Sequence, residues 1–182
     1  MIPPVHFLIS YLISSLLTKN ALLRRLAAIG GVIPDLDGIF ILFDHDLYAR
    51  YHHILFHPLM GGMLLGTFTV AVFWIYEKGR NIQNPGFGKY FIFFFVGLLL
   101  HDFADIIGTD WQIPLLYPAS SMEFSVYPSL SSEAIYGVID PIVAVIFLLA
   151  AFIQPLIERR SVMSFFSEKI DKRFVGALRR WY

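Results

Sequence analysis

The chain has 182 residues, of which 57% are hydrophobic and only 15% are charged, and its formal net charge is zero. A chain this apolar lies outside the usual range of soluble domains and indicates an integral membrane protein with several spans. The zero net charge gives no support to nucleic-acid binding. The lack of cysteine excludes disulfides, thiol nucleophiles and thiolate metal ligands.

The first two predicted membrane segments are the weakest. Residues 3–17 are apolar but short, and they lack the basic start and small-residue cleavage site of a signal peptide, so we expect a retained segment. Residues 26–43 are interrupted by Gly30, Gly31 and Pro34. Because interrupted backbone at membrane depth is tolerated where it lines a polar cavity, we predict that this segment is kinked or re-entrant.

Three longer apolar segments follow, at residues 54–76, 90–107 and 135–157. Each approaches or exceeds the roughly 20 residues that cross about 30 Å of hydrocarbon. Together the segments predict an all-α, polytopic integral membrane helical bundle. It would have about five membrane-embedded helices, the second of them broken or re-entrant.

The distribution of Lys and Arg predicts how the chain is oriented. Basic residues follow the first, third and fifth segments, whereas the loop 108–134 has none. Since basic loops mark the cytoplasmic side, we expect the N-terminus outside and the C-terminus inside the cell membrane. Residues 1–157 would form the membrane-embedded domain, and residues 158–182 a basic amphipathic tail on the inner leaflet or a partner-docking tail. The outer loop 108–134 could be a lid, a wall for acyl chains or an aromatic belt.

Ionisable residues within or beside the apolar segments fall on the outer side of this topology, apart from those that flank the cytoplasmic ends. The candidates are His6, Asp35, Asp37, His52, His53, His57, His101, Asp105 and Asp140. An ionisable group near the bilayer centre costs about 3 kcal/mol or more, so it usually has a partner and a function. Their segregation on one side of the membrane therefore favours a shared site.

The fourth segment ends in the stretch HDFAD. His101 and Asp105 have i,i+4 spacing, which places an imidazole and a carboxylate on one helix face. This arrangement suits two ligands of one metal ion or a histidine oriented by a carboxylate; the alternative is an ordinary hydrogen bond at a helix end. Asp102 is expected to point elsewhere and to be solvated. Asp140 lies one turn into the fifth segment and precedes Pro141, and a favourable charge at a helix N-terminus is an equal alternative.

The stretches YHHILFHPL and IPDLDG supply the remaining candidates. His53 and His57 have i,i+4 spacing, whereas His52 can approach His57 only if the helix begins after His52. Asp35 and Asp37 would lie on opposite faces of a regular helix, but the irregular backbone at a proline could aim both inward. The alternatives are interfacial anchoring for the histidines and solvation in a turn for the carboxylates.

The chemical types of these residues indicate which metal would bind. Imidazole and carboxylate ligands without thiolates suit zinc, manganese or iron. More than four such groups suggest two metal ions, an arrangement that stabilises both the attacking and the leaving oxygen in phosphoester hydrolysis.

The order of these motifs resembles that of the YdjM-type family of predicted membrane-bound metal-dependent hydrolases. The resemblance covers residues 5–118 and rests on HFLIS with His6, IPDLDG with Asp35 and Asp37, HHILFHPL with His52 and His57, and LLLHDFADIIGTDWQIPLLYP with His101 and Asp105. The chain departs from the family pattern at Gly38, where the family often has histidine. It also departs at Phe56 and Pro58, where the family often has threonine and serine.

The His–Asp–His–HxxxD order is also similar to that of zinc-dependent phospholipases C and single-strand nucleases, which implies phosphoester hydrolysis. Those enzymes supply further ligands after HxxxD, including a late glutamate, and Asp140 is the comparable candidate here. The resemblance pairs His52 with His57, whereas helical spacing pairs His53 with His57. Both pairings stay open at this point.

Taken together, these features predict a membrane-bound metal-dependent hydrolase with one or two divalent ions, most naturally zinc. Its substrate would be a phosphoester of a lipid or another amphiphile at the outer leaflet, and metal-bound hydroxide would be the nucleophile. Asp37 and Asp105 are the candidates for a general base or an orienting carboxylate. The alternatives are a lipid amidase, a metal-ion or proton transporter, and an inactive membrane scaffold. The apolar inner halves of the last three segments argue against a transport path.

Overall fold

The structure is a computed structural model that describes residues 2–79, 85–110, 112–126 and 130–180. These residues form eight α-helices and no sheet; the only strand-like feature among them is a bridge between Ile113 and Phe124. The all-α prediction is therefore confirmed. Residues 111 and 127–129 of the predicted outer loop, and 181–182 of the predicted tail, lie outside the described residues.

The two weak segments form three short elements. Helix α1 (Pro3–Leu17) coincides with the first segment. The second segment is divided between α2 (Ala21–Gly30) and a 3₁₀ helix (Ile33–Leu42). The side chain of Asn20 starts α2, because its Oδ1 accepts hydrogen bonds from the first N–H groups of that helix.

Close packing of backbones explains the glycines at the end of α2. A Cβ atom on Gly30 would lie 2.1 Å from the carbonyl oxygen of Phe94, and one on Gly97 would lie 1.9 Å from that of Ala27. Larger residues cannot occupy these positions without moving a helix. The glycines therefore let α2 lie directly against the fourth predicted span, and the 3₁₀ helix that follows contacts the same span.

The predicted third span begins later than its hydropathy indicates. Helix α3 (His45–Tyr51) is capped by Asp44, residues 52–58 are not helical, and α4 runs over Leu59–Gly79. Helix α5 (Phe87–Gly108) contains the predicted fourth span.

The predicted fifth span lies within one continuous apolar helix, Ser132–Glu158. It consists of α6 (Ser132–Ala134), a π-helical turn (Ile135–Ile139) and α7 (Asp140–Glu158). This helix, α4 and α5 are the three described helices that are long and apolar enough to cross a membrane. Phe68 of α4 and Phe152 of α7 are 68% and 63% exposed, as expected for side chains that face lipid.

Helices α1, α2 and α5 form the centre of the bundle. Leu23, Leu26 and Phe94 are buried between α2, α4 and α5. The tail packs against the end of the bundle through a 3₁₀ turn (Val162–Phe165), which α8 (Glu168–Leu178) follows. The hydroxyl of Tyr11 is hydrogen-bonded to that of Ser164, and Phe7 contacts Phe165 edge to face.

Candidate metal centre

Four segments bring histidines and aspartates together at one end of the bundle. We call this set the His/Asp cluster: His6 from α1, Asp35 and Asp37 from the 3₁₀ helix, His52, His53 and His57 from residues 52–58, and His101 and Asp105 from α5. Most of these side chains are fully buried, and Asp35 and His52 are about one-tenth exposed. Eight of the nine residues predicted from the sequence are thus close together.

His101 and Asp105 lie on one face of α5, as their spacing predicts. Nε2 of His101 is 3.1 Å from Oδ2 of Asp105. Nδ1 of His101 is 2.9 Å from the backbone carbonyl of Gly31. Since a carbonyl can only accept, Nδ1 carries the proton, and the lone pair of Nε2 is directed into the cluster.

His57 completes a compact set of three ligand atoms. Its Nε2 lies 3.1 Å from Nε2 of His101 and 3.6 Å from Oδ2 of Asp105. An ion that holds nitrogen and oxygen ligands tetrahedrally at about 2.0–2.1 Å places them about 3.3 Å apart. The three atoms are therefore spaced as ligands of one ion would be.

His6 and Asp35 approach the same atoms from other sides. Nε2 of His6 is 3.0 Å from Oδ1 of Asp105 and 4.0 Å from Oδ2 of Asp35. Oδ1 of Asp35 is 3.8 Å from Nε2 of His101 and 3.9 Å from Nε2 of His57. Asp105 thus presents one oxygen to His6 and the other to the pair of His57 and His101.

Among the described residues, two groups have ligand atoms close enough to hold a metal ion. They are His6, Asp35, His101 and Asp105, and His53, His57 and Asp105, with the ligand atoms of each group within 4.8 Å of one another. Asp105 belongs to both groups. A carboxylate that presents both oxygens can bridge two ions, so the geometry accommodates one ion or two.

Asp37 contacts the histidines on the side away from the shared carboxylate. Its Oδ1 is 2.7 Å from Nδ1 of His52, and its Oδ2 is 3.7 Å from Nδ1 of His57. Because Nε2 of His57 faces Asp105, Asp37 lies beside the other nitrogen of the His57 ring, farther away than a hydrogen bond, and does not share the ligand atom.

Both histidines that were predicted as alternative partners of His57 lie near it, with the His52 ring 5.3 Å from the His57 ring. The His53 ring lies 4.2 Å from the His57 ring, whereas His52 bonds Asp37. The helical reason for pairing His53 with His57 is wrong, since residues 52–58 are not helical. His53 instead has a left-handed backbone with φ of 69°, which costs about 1–2 kcal/mol for a residue with a side chain.

Electrostatics around this segment favour a neutral imidazole at His53. Burial lowers the pKa of His53 to about 2, and the neighbouring His57 and His52 act in the same direction. The neutral form is the one that binds a metal. Tyr48, which stacks on His52 with ring centroids 4.5 Å apart, has a raised pKa because of burial and the nearby carboxylates of Asp35 and Asp37.

The two remaining carboxylates behave differently from the cluster. Asp140, at the start of α7, belongs to neither described group, and its role as a ligand stays a prediction. The prediction that Asp102 is solvated is wrong: its side chain is buried, with 2% exposure. The outer loop folds back over this face of α5, where Leu115 accepts a hydrogen bond from the N–H of Leu59 and both residues line a cavity with Asp102.

The outer loop also borders the His/Asp cluster. A cavity of about 340 Å³ is lined by His52 and His53 on one side and by Pro114, Tyr117 and Glu123 of the loop on the other. His52 and His53 are thus the residues of the cluster that border this cavity.

Several contacts at the site were not predicted from the sequence. They include the carbonyl of Gly31, the ring of Tyr48 and the hydroxyl of Thr109, which donates to the backbone carbonyl of Asp105 over 3.0 Å. Asp110 accepts from the hydroxyls of Ser132 and Tyr136, which hold its pKa below the usual value. A contact with a backbone carbonyl does not depend on the type of residue, so the sequence cannot indicate it. The other contacts join positions that are distant in sequence or depend on the local geometry of the backbone.

Comparison with known proteins identifies the family. Neither the curated proteins nor the solved structures include one that matches the chain. The family model described as YdjM inner membrane protein matches residues 1–168. Because this match covers nearly the whole chain, the protein belongs to the YdjM inner membrane protein family.

Proposed function

We propose that the protein is a membrane-bound metal-dependent hydrolase that cleaves phosphoesters of lipids or similar amphiphiles. The observation that carries the proposal is the mutual spacing of Nε2 of His57, Nε2 of His101 and Oδ2 of Asp105, which lie 3.1, 3.1 and 3.6 Å apart. These atoms are buried and come from two parts of the chain, residues 52–58 and α5. They offer lone pairs to a common point, which is what a metal ion requires.

Charge balance also favours a metal ion. Asp37 and Asp105 are 1% exposed and Asp35 is nearly buried, so the cluster holds three carboxylates that need positive charge close by. Within the described residues, Nδ1 of His6 and Oδ2 of Asp35 are buried without a hydrogen bond. Buried polar atoms and charges without partners are costly, so a cation in the cluster would remove a large penalty. Zinc is the ion that the donor set suits best, as one ion or as two bridged by Asp105.

Each residue then has a defined task. His57, His101 and Asp105 would hold the first ion, and His6, Asp35 and His53 would complete one or two coordination shells. A bound ion would polarise a water molecule and a phosphoryl oxygen. Asp37, which is bonded to His52 and lies 3.7 Å from Nδ1 of His57, would orient these two rings. It is also the better general base of the two predicted carboxylates, because Asp105 is already shared among three imidazoles.

Two neighbouring cavities support an amphiphilic substrate. The cavity of about 340 Å³ has His52, His53 and Glu123 in its walls, and an apolar cavity of about 460 Å³ runs along α5 between Val96 and Ile106. Pro114 lines the first cavity and Leu115 the second, so one turn of the outer loop separates them. A lipid could place its headgroup in the first and a chain in the second.

The membrane arrangement forms part of the same proposal. The N-terminus would be outside and the C-terminus cytoplasmic, with α1 and the broken second segment embedded beside the three long helices. This arrangement would place the His/Asp cluster at the outer leaflet, within lateral reach of a lipid.

The test combines metal analysis with turnover. Purified wild-type protein and the variants His57→Ala, His101→Ala and His45→Ala would be compared for bound metal and for hydrolysis of a fluorescent phospholipid and a matched lipid amide. His45 is exposed and lies outside the cluster, so its variant is the control. We expect metal and phospholipid turnover to be lost in the first two variants only. Metal retained in both, or turnover of the amide alone, would overturn the proposal.

A further inference from the structure

A second buried charge lies at the other end of α2. Arg24 is seven residues before Gly31, which corresponds to about 10 Å along the helix axis. Its side chain is 1% exposed, and its guanidinium lies over the ring of Tyr11 with 5.6 Å to the centroid. Within the described ranges, Nε and Nη2 of Arg24 have no hydrogen-bond partner.

An arginine buried in this way is costly unless something accepts from it. A guanidinium stays protonated, so it cannot avoid the penalty by losing its charge. The ring of Tyr11 compensates part of the charge but accepts no hydrogen bond from Nε or Nη2 in the described chain. Two donors are therefore available for an acceptor that is not part of the described protein.

Arg24 lines two cavities whose walls carry further positive charge. A cavity of about 550 Å³ is lined by Arg24, Lys19 and Arg160, and an adjoining one of about 150 Å³ by Arg24, Arg159, Arg160 and Lys172. Together these walls carry five basic side chains.

The same walls carry three acidic side chains, fewer than the five basic ones. They are Glu158, Glu168 and Asp171. Oδ1 of Asp171 accepts from the backbone N–H and the hydroxyl of Ser161 over 2.7 and 2.6 Å, and Glu158 accepts from Gln154. The walls thus keep an excess of positive charge around Arg24.

We propose that Arg24 forms the floor of a binding site for a phosphate group, with Lys19 and Arg160 at its mouth. A guanidinium offers two parallel N–H donors. They match two oxygens of one phosphate better than they match a spherical halide ion. The phosphate can belong to the headgroup of an anionic phospholipid or to a soluble anion. Leu16, which lines the larger cavity and is 78% exposed, would contact the chains of a lipid.

The experiment measures binding to the full chain in an uncharged detergent. Inorganic phosphate, with sodium chloride at matched ionic strength as reference, tests the soluble anion. Phosphatidylglycerol in mixed micelles, with phosphatidylcholine as reference, tests the headgroup. Thermal unfolding would be followed for the wild type, Arg24→Gln, Arg24→Lys and Arg173→Gln. Arg173 is an exposed arginine of α8, so its variant is the control.

We expect wild-type and Arg173→Gln proteins to be stabilised by phosphate, by phosphatidylglycerol or by both, and the arm that responds identifies the source. Arg24→Gln should bind at least about tenfold more weakly, the loss expected for a charge-assisted hydrogen bond, and Arg24→Lys should be intermediate. If Arg24→Gln does not fold, the double variant Lys19→Gln with Arg160→Gln should show the weakening instead. Equal responses in wild-type and variant proteins, or no response in either arm, would overturn the proposal.

Discussion

The two ends of the bundle bury charge in opposite ways. The His/Asp cluster collects acceptors: carboxylate oxygens and imidazole lone pairs that lie 3–4 Å from one another. The Arg24 end collects donors, with a guanidinium whose Nε and Nη2 have no acceptor among the described residues. Acceptors that crowd together need a cation, and donors without acceptors need an anion. The two ends therefore differ in the ligand that we propose for each, a cation at the His/Asp cluster and an anion at Arg24.

The strongest prediction compares two buried carboxylates of α5, Asp105 and Asp102. Asp105→Asn should abolish metal binding and turnover, because it removes the charge shared by both described groups. Asp102→Asn makes the same chemical change three residues away and should keep the metal, since Asp102 belongs to neither group. Elemental analysis of both variants checks this prediction. Equal metal loss in the two would mean that burial of charge in α5, rather than ligation, holds the ion.

Metal removal should distinguish the two ends directly. A chelator should lower the thermal unfolding midpoint of the wild type, because the ion stabilises only the folded form, and zinc should restore it. Phosphate or phosphatidylglycerol should still stabilise the stripped protein, since the Arg24 site is about 10 Å away along α2. Loss of both responses on chelation would show that the two ends are not independent.

Removing an orienting contact should have a smaller effect than removing a ligand. Asp37→Asn should weaken metal affinity about 10- to 100-fold, the usual effect of losing a group that orients a ligating histidine. Asp46→Asn, an exposed change in the first turn of α3, is the control and should bind as the wild type does. Competition with a chromophoric chelator measures both affinities. A variant that binds no metal would instead make Asp37 a ligand.

Packing of α2 on α5 joins the two ends. Gly97→Ala should lower the free energy of unfolding by about 1–3 kcal/mol, because the new Cβ would lie 1.9 Å from the carbonyl of Ala27. Gly88→Ala, in the same helix but with no atom within 4 Å of the new Cβ, should be neutral or slightly stabilising. Denaturation of both variants in detergent is the measurement, and a neutral Gly97→Ala would contradict the close approach.

Capping of α2 gives the smallest predicted effect. Asn20→Ala should cost about 1 kcal/mol, since Oδ1 of Asn20 accepts from the N–H groups of Leu22 and Leu23 over 2.9 and 3.3 Å. Asn20→Asp keeps an acceptor at the same position and should retain most of the stability. The unfolding midpoints of the two variants decide whether the cap, rather than the amide group, is what matters.

The class of the protein, its apolar segments and the residue types of the candidate site could all be predicted from the amino-acid sequence. Hydropathy depends on composition over about 20 residues, so the long helices could be located without coordinates. The i,i+4 spacing of His101 and Asp105 also has a direct meaning, because that stretch is a regular helix. The break of the second segment was predictable for a similar reason, since glycines and a proline interrupt it.

The contacts between side chains of the candidate site could be seen only in the folded molecule. The non-helical path of residues 52–58 places His53 beside His57 and leaves His52 with Asp37, which no helical spacing could indicate. The fold of the outer loop buries Asp102, and docking of the tail surrounds Arg24 with cavities. These outcomes depend on contacts between segments far apart in the chain. A residue pattern describes its own segment, whereas burial and ligand geometry belong to the surfaces where segments meet.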